Sequence, residues 1–105
     1  MSVSDEQIEA AIRRDFEEFG FATCPHTATA THTWRQFDKA LRLEHDWILV
    51  ATAHPAKFET IVEPLIGESL DLPPELAEIL ARPSRSVAIE PTPGALAGAI
   101  RDRFG

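Results

Sequence analysis

The sequence predicts an α/β protein that is rich in helix and contains a few short, parallel strands. Helical and strand-like segments follow one another in the order α, β, α, β, α, α, β, α, which is typical of helices layered over a sheet. In addition, residues 46–52 are apolar at almost every position. Such a run is typical of a strand in a parallel sheet that is buried on both faces.

Composition limits the size of the protein and the kinds of partner it has. A chain of 105 residues with 44% apolar and 26% charged residues suffices for one compact domain, residues 1–105. Its net charge of -7, with the basic residues scattered, argues against nucleic acid or an anionic membrane as a partner. The chain has one cysteine, and it shows no secretory signal and no apolar stretch long enough to span a bilayer. We therefore expect a soluble cytoplasmic protein.

The first helix has clear start and stop signals. Ser4 is placed as an N-cap, Gln7 completes a capping box three residues later, and Gly20 is a C-terminal stop. The acidic residues of this helix are expected to form a solvated face: Asp5, Glu6, Glu9, Asp15, Glu17 and Glu18.

Four further helices follow from periodicity and proline positions. The second is predicted over residues 26–42, and the third over residues 56–66, with Pro64 expected to break its last turn. The fourth is predicted over residues 75–81, after a pair of prolines, and the last begins after Thr92. Two glycines inside the last helix, Gly94 and Gly98, are interpreted as close-packing positions.

The strands are the weakest part of the α/β prediction. Residues 46–52 form the clearest candidate, but its only possible neighbours are residues 20–23 and 86–89. The helices also have more apolar surface than three short strands can cover. Either the helices pack mainly on one another, or the chain docks on a larger body.

The histidines do not form a recognisable metal site. His26 and His32 are not spaced to share one helical face, and Cys24 with His26 does not match a zinc-binding pair. Cys24 and His26 also lack the orienting third group that a catalytic nucleophile pair requires. We therefore predict no metal ligands and no nucleophilic cysteine.

Three polar residues follow the clearest strand. Ligands bind at the carboxyl ends of strands in open α/β sheets, and Thr52, His54 and Lys57 lie at that point. A threonine hydroxyl there can hydrogen-bond a heterocyclic nitrogen without adding charge. The alternative is that Thr52 caps the strand and that Lys57 is a solvated helix residue.

Two short segments resemble those of threonine synthases, which are pyridoxal-phosphate enzymes of the tryptophan synthase β-like family, or fold type II. These segments are Ala-Thr-Ala-His-Pro-Ala-Lys-Phe at residues 51–58 and Pro-His-Thr-Ala at residues 25–28. The resemblance extends over nearly the whole chain, but over only the last quarter of a typical family member.

The resemblance implies specific roles. Threonine synthases convert O-phosphohomoserine and water to threonine and phosphate. By resemblance, Thr52 contacts the pyridine nitrogen of the cofactor, and His26 and Thr27 belong to a loop near the catalytic cleft. His54 and Lys57 follow Thr52 closely in the chain and are expected near the same cleft. Lys57 does not match the cofactor-binding lysine, which lies upstream in the family together with the phosphate-binding loop.

The missing lysine implies that the chain is inactive alone. The expected partner is a complementary upstream threonine synthase chain, or another copy of this chain through self-association. The alternative function is that of a non-enzymatic helical module that binds a protein.

Overall fold

The protein is helical. The computed structural model describes residues 2–105, and these contain six α-helices and one 3₁₀ helix. The elements are α1 (Asp5–Phe19), α2 (Pro25–Gln36), α3 (Lys39–Glu44), the 3₁₀ helix (Pro55–Phe58), α4 (Glu59–Ile66), α5 (Pro74–Ala81) and α6 (Pro93–Phe104). No β-strand occurs within residues 2–105, so the predicted α/β fold with short parallel strands is wrong.

The predicted strands fail because they have no neighbours to pair with. Residues 46–52 belong to no helix and to no strand, and no backbone–backbone hydrogen bond among the described residues involves them. Residues 20–23 form the connection between α1 and α2, and residues 86–89 are unpaired as well. Apolar, β-branched residues favour an extended backbone, but a strand forms only when another strand completes its hydrogen bonds.

The signals predicted for α1 are confirmed. Ser4 Oγ accepts the Gln7 N–H at 3.3 Å, and Gln7 Oε1 accepts the Ser4 N–H at 2.9 Å, which completes the capping box. At the other end, Gly20 has φ 76° and donates its N–H to the Phe16 carbonyl.

The helix predicted over residues 26–42 is two helices. Phe37 and Asp38 have extended ψ angles of 148° and 143°, which end α2 and separate it from α3. Thr29 and Thr33 are helical, and each donates its hydroxyl to the carbonyl four residues earlier. This local bonding satisfies the threonines inside the helix despite their modest helix propensity.

The later helices follow the prediction except at two points: the helix predicted over residues 56–66 begins as the 3₁₀ helix, with α4 starting only at Glu59, and Pro64 does not break it. Thr92 caps α6, with its hydroxyl oxygen accepting the Ala95 N–H at 3.2 Å, and α5 begins after Pro73 as expected. Helix α4, however, continues through Pro64 to Ile66 and ends at Gly67, which has φ 73°. A proline removes one amide donor, and here packing of Val62 and Leu65 in the core maintains the remaining turn.

The chain divides into two compact units, Met1–Leu72 and Pro73–Gly105. The first unit contains the buried core, in which α1 packs against α2 and α4. The fully or nearly buried members of this core are Ala11, Ile12, Ala28 and Val62. The single domain predicted over residues 1–105 stays a prediction. None of the described helices combines the length and the apolar character that a membrane span requires.

Gly67 and Gly98 differ in backbone conformation, so replacing each by alanine should change stability in opposite directions. Gly67→Ala is expected to lower the free energy of unfolding by about 1–2 kcal/mol, because alanine is strained at φ +73°. Gly98→Ala is expected to raise it by up to about 1 kcal/mol, because Gly98 is helical and a Cβ there meets nothing within 4 Å. Urea unfolding of both variants checks the prediction, and changes of the same sign would contradict it.

The interpretation of Gly94 and Gly98 as close-packing positions is wrong, because a Cβ at either residue would meet nothing within 4 Å.

Candidate functional site

Residues 46–52 present two different faces. Trp47, Leu49 and Ala51 line a groove on the side of α2, and these three residues are the inner face of the segment. Ile48 and Val50 alternate with them and are 89% and 68% exposed. Thr52 is also exposed and continues this alternation. Ile48, Val50 and Thr52 are therefore the outer face.

Aromatic packing holds the inner face in place. The Trp47 ring lies 5.2 Å from the Phe37 ring, measured between centroids. The groove beneath the inner face has a volume of about 350 Å³ and is also lined by Phe19, Thr31 and Trp34. The inner face of the segment therefore packs against the helices, whereas the outer face is exposed to solvent.

A second groove, here the Cys24 groove, lies beside the end of this segment. It has a volume of about 580 Å³, and its wall includes no lysine or arginine. Its lining residues are Phe21, Ala22, Thr23, Cys24, Thr27, Ala51, Ala53, His54, Pro55, Leu70 and Asp71. The structure thus brings Thr27 and His54 together, while Thr52 is absent from the lining although both of its chain neighbours contribute to it.

Cys24 is the N-cap of α2, a role that the sequence analysis missed. Its side chain is 1% exposed, and Sγ accepts the Thr27 N–H at 3.4 Å and lies 3.2 Å from Thr27 Oγ1. Burial raises the pKa of the thiol, but hydrogen bonds from Thr27 and from the backbone N–H groups of His26 and Ala53 outweigh it and lower the pKa.

The other predicted site residues lie on the helix ends around this groove. His54 caps the 3₁₀ helix, because its Nδ1 accepts the Ala56 N–H at 3.2 Å. His26 is exposed in the first turn of α2, and its ring lies 5.2 Å from the Phe58 ring. Lys57 is exposed and does not line the Cys24 groove. Within residues 2–105, no three histidine, cysteine or acidic side chains form a group that could hold a metal ion.

A buried carboxylate fixes the connection between α1 and α2. Asp15 is fully buried, and its Oδ2 accepts the hydroxyls of Thr23 and Thr31 at 2.7 and 2.8 Å. Arg35 Nη1 lies 2.7 Å from Asp15 Oδ1, as an ion pair without hydrogen-bond alignment. The prediction that Asp15 belongs to a solvated face is therefore wrong.

Arg35 extends this network to the surface. Its Nη2 donates to Glu18 Oε2 at 2.7 Å, and Arg14 donates to the other Glu18 oxygen at 2.6 Å. The hydrogen bonds from Arg14 and Arg35 lower the pKa of Glu18. Since Thr23 precedes Cys24 in the chain, the network also positions one wall of the Cys24 groove.

A family model described as threonine synthase, C-terminal, matches residues 27–100 of this chain. The chain belongs to the threonine synthase family. Threonine synthase of Escherichia coli is 40% identical over 77 residues, which cover 73% of this chain and 17% of that protein. The enzyme of Serratia marcescens is 37% identical over 76 residues, which cover 72% of this chain and 17% of that protein.

The solved structures agree with this family. The crystal structure of threonine synthase from Escherichia coli matches with a TM-score of 0.81 and 34% identity. The match covers 97% of this chain and 23% of that one. The resemblance drawn from the sequence is confirmed, and the chain corresponds to the C-terminal portion of a threonine synthase. It therefore spans less than a quarter of the length of these relatives.

Proposed function

We propose that this chain contributes the C-terminal part of a threonine synthase site and is catalytic only with an upstream portion of such an enzyme. The assembled enzyme converts O-phosphohomoserine and water to threonine and phosphate with pyridoxal phosphate as cofactor. The observation that supports this proposal is the length of the match. Nearly all of this chain matches the Escherichia coli enzyme, but about three quarters of that enzyme lies outside the match.

The residues of this chain fit one contact with the cofactor and not the whole site. Thr52 is exposed, and its hydroxyl makes no hydrogen bond among the described residues, so it is free to meet a ring nitrogen. The Cys24 groove has no cationic side chain for a phosphate group, and the α2 amides of His26 and Thr27 are directed to Cys24 Sγ. Lys39 and Lys57 are exposed in short helices.

The role that we propose for this chain is to orient and cover the cofactor. When bound, pyridoxal phosphate supplies the conjugated ring that accepts electron density from the substrate. The exposed Thr52 hydroxyl would offer that ring an uncharged hydrogen-bond partner. The upstream portion supplies the lysine and the phosphate-binding loop.

Reconstitution tests this proposal. The part of Escherichia coli threonine synthase that precedes the matched region is co-expressed with this chain. The positive control is the same part with its own C-terminal region. We expect absorbance from protein-bound pyridoxal phosphate and phosphate release from O-phosphohomoserine in the mixture, and neither with the isolated chain.

Two results would contradict the proposal. Turnover by the isolated chain at an ordinary enzymatic rate of about 1–1000 s⁻¹ would show that no upstream portion is needed. A mixture with neither bound cofactor nor phosphate release, beside an active positive control, would show that the chain does not complete the enzyme. The family match does not favour the alternative of a non-enzymatic helical module.

A further inference from the structure

A groove lies within the second compact unit, between residues 84–89 and helix α6. Its volume is about 960 Å³, which is a size typical of small-molecule sites. Residues 84–89 contribute Arg85 to its lining, and α6 contributes Arg103, so an arginine lines the groove on each side. This cavity is called the arginine groove below.

Ion pairs do not neutralise these two arginines. Among residues 2–105, neither guanidinium has a carboxylate within 4.0 Å, whereas Arg82 pairs with Glu78 at 2.6 Å. Both side chains are exposed, and that of Arg103 lies over the ring of Phe104. One carboxylate, that of Asp102, also lines the groove. Two cations and one anion therefore give the lining a positive charge.

The rest of the lining is mostly apolar. Val87 and Ile89 line one side, and Ala95 and Ala99 line the helical side. Gly98 lies on the helical side as well, where a Cβ would meet nothing within 4 Å, so the groove is open at that point. The arrangement fits a ligand that has an anionic group for the arginines and an apolar body for the remaining surface.

We propose that the arginine groove binds a small organic phosphate monoester with an apolar body. A guanidinium donates two parallel hydrogen bonds to a phosphate group, and a phosphate monoester at neutral pH has about two charges to match two arginines. Ser84 and Ser86 flank Arg85 in the chain and also line the groove, so their hydroxyls are available to further phosphate oxygens. A carboxylate has one charge and would leave one arginine unpaired.

The charge of the chain favours a small ligand over a polyanion. Residues 73–105 contain four basic and four acidic residues, whereas residues 1–72 contain six basic and thirteen acidic ones. A long polyanion such as a nucleic acid would also meet that acidic part of the chain, which repels it. A small molecule responds mainly to charges within about 10 Å, because salt screens the others.

Titration of the full chain with phenyl phosphate tests the proposal. Calorimetry measures the Kd, and NMR spectra of the isotope-labelled chain identify the amides that shift. We expect the shifts at residues 84–89 and in α6. Phenyl phosphate should bind at least about fivefold more tightly than inorganic phosphate or benzyl alcohol, because each of these lacks one of the two parts that the groove contacts.

Three charge variants have different expected effects on the Kd of phenyl phosphate. Arg103→Gln should weaken binding by about fivefold or more, because a charge-assisted hydrogen bond is lost. Arg101→Gln is the matched control on the same helix, since Arg101 donates to the Ala97 carbonyl and does not line the groove. It should change the Kd by less than about twofold. Asp102→Asn should tighten binding by about twofold, because it removes a like charge from the groove.

A pair of glycine variants tests whether the ligand lies in the groove. Gly98→Leu places a side chain in the groove and should weaken binding by at least about tenfold through a steric clash. Gly94→Leu is the matched control, because Gly94 is also in α6 with open space around it but does not line the groove. Leucine favours a helix more than glycine does, so neither variant should lower the melting temperature.

Four results would overturn the proposal. The first is that phenyl phosphate does not bind, and the second is that it shifts amides outside residues 84–89 and α6 only. The third is equal binding of phenyl phosphate and inorganic phosphate, which would show that the apolar lining contributes nothing. The fourth is an equal effect of the two variants in either matched pair, which would indicate non-specific attraction. The proposed function does not depend on these results, because they concern this chain alone.

Discussion

Asp15→Ala is expected to lower the free energy of unfolding by about 3–5 kcal/mol, because it removes one partner of a buried ion pair. It also deprives the buried hydroxyls of Thr23 and Thr31 of their acceptor, and each unsatisfied group adds to the loss. Arg35, whose side chain is 7% exposed, loses its buried partner and keeps its ion pair with the more exposed Glu18. Urea unfolding followed by circular dichroism at neutral pH measures the change.

Two further variants separate the causes of this loss. Asp15→Asn keeps a carbonyl acceptor but removes the charge, so we expect a loss smaller than that of Asp15→Ala. Glu9→Gln is the surface control, because Glu9 and Arg13 form an exposed pair at 3.8 Å. It should change stability by less than about 1 kcal/mol. An Asp15→Ala variant as stable as Glu9→Gln would show that the buried network contributes nothing to stability.

Low pH should weaken the ion pairs that Glu18 forms with Arg14 and Arg35 at the surface end of this network. The pKa of Glu18 is lower in the folded chain than its ordinary value, so this carboxylate stabilises the fold above the unfolded pKa. That contribution is lost as pH falls through the folded pKa. Glu18 is 39% exposed, so solvent screening keeps the effect small compared with that of Asp15.

Thr52→Val is expected to lower turnover of the reconstituted threonine synthase by about 10- to 100-fold. Valine has the shape of threonine but no hydroxyl, so the proposed hydrogen bond to the cofactor ring is lost and its partner is left unsatisfied. A loss of this size corresponds to about 1.4–2.8 kcal/mol. Phosphate release from O-phosphohomoserine measures turnover, and the absorbance of the bound cofactor reports the changed environment of its ring.

Thr52→Ser is the matched control for this prediction. Serine keeps the hydroxyl and should retain most of the activity. Because Thr52 is exposed in the free chain, neither substitution should alter the melting temperature of the isolated chain. Equal activity of the valine and serine variants would contradict the role assigned to the hydroxyl, and it would leave the docking of the two portions unaffected.

Local signals in the sequence predicted the helix ends well. Ser4 with Gln7, Gly20 and Thr92 act through hydrogen bonds within a few residues, so the chain around each cap is enough to determine it. The break near Phe37 was missed, because the helical stripe of apolar residues continues past it. The family resemblance rested on short segments of the same local kind, and the comparisons confirm it.

The site could be predicted only in part. Thr27 and His54 were named from the sequence and do line one groove, and Cys24 lines it too. Cys24 was considered only as a metal ligand or nucleophile, because cysteine is not one of the residue types that usually cap a helix, although its bond to the Thr27 N–H is local. A signal for Asp15 was present, since it follows Ile12 by three residues and Ala11 by four, and these are the buried face of α1. Asp15 was nevertheless assigned to the solvated face because its side chain is charged.

The sequence by itself determined the helices with clear caps, the family, and the apolar character of residues 46–52, because these depend on neighbouring residues and short motifs. Only the tertiary structure decided that this segment is not a strand and that Asp15 is buried. Both results depend on distant partners: a strand requires another strand across from it, and a carboxylate is buried when an arginine and two hydroxyls from other parts of the chain reach it.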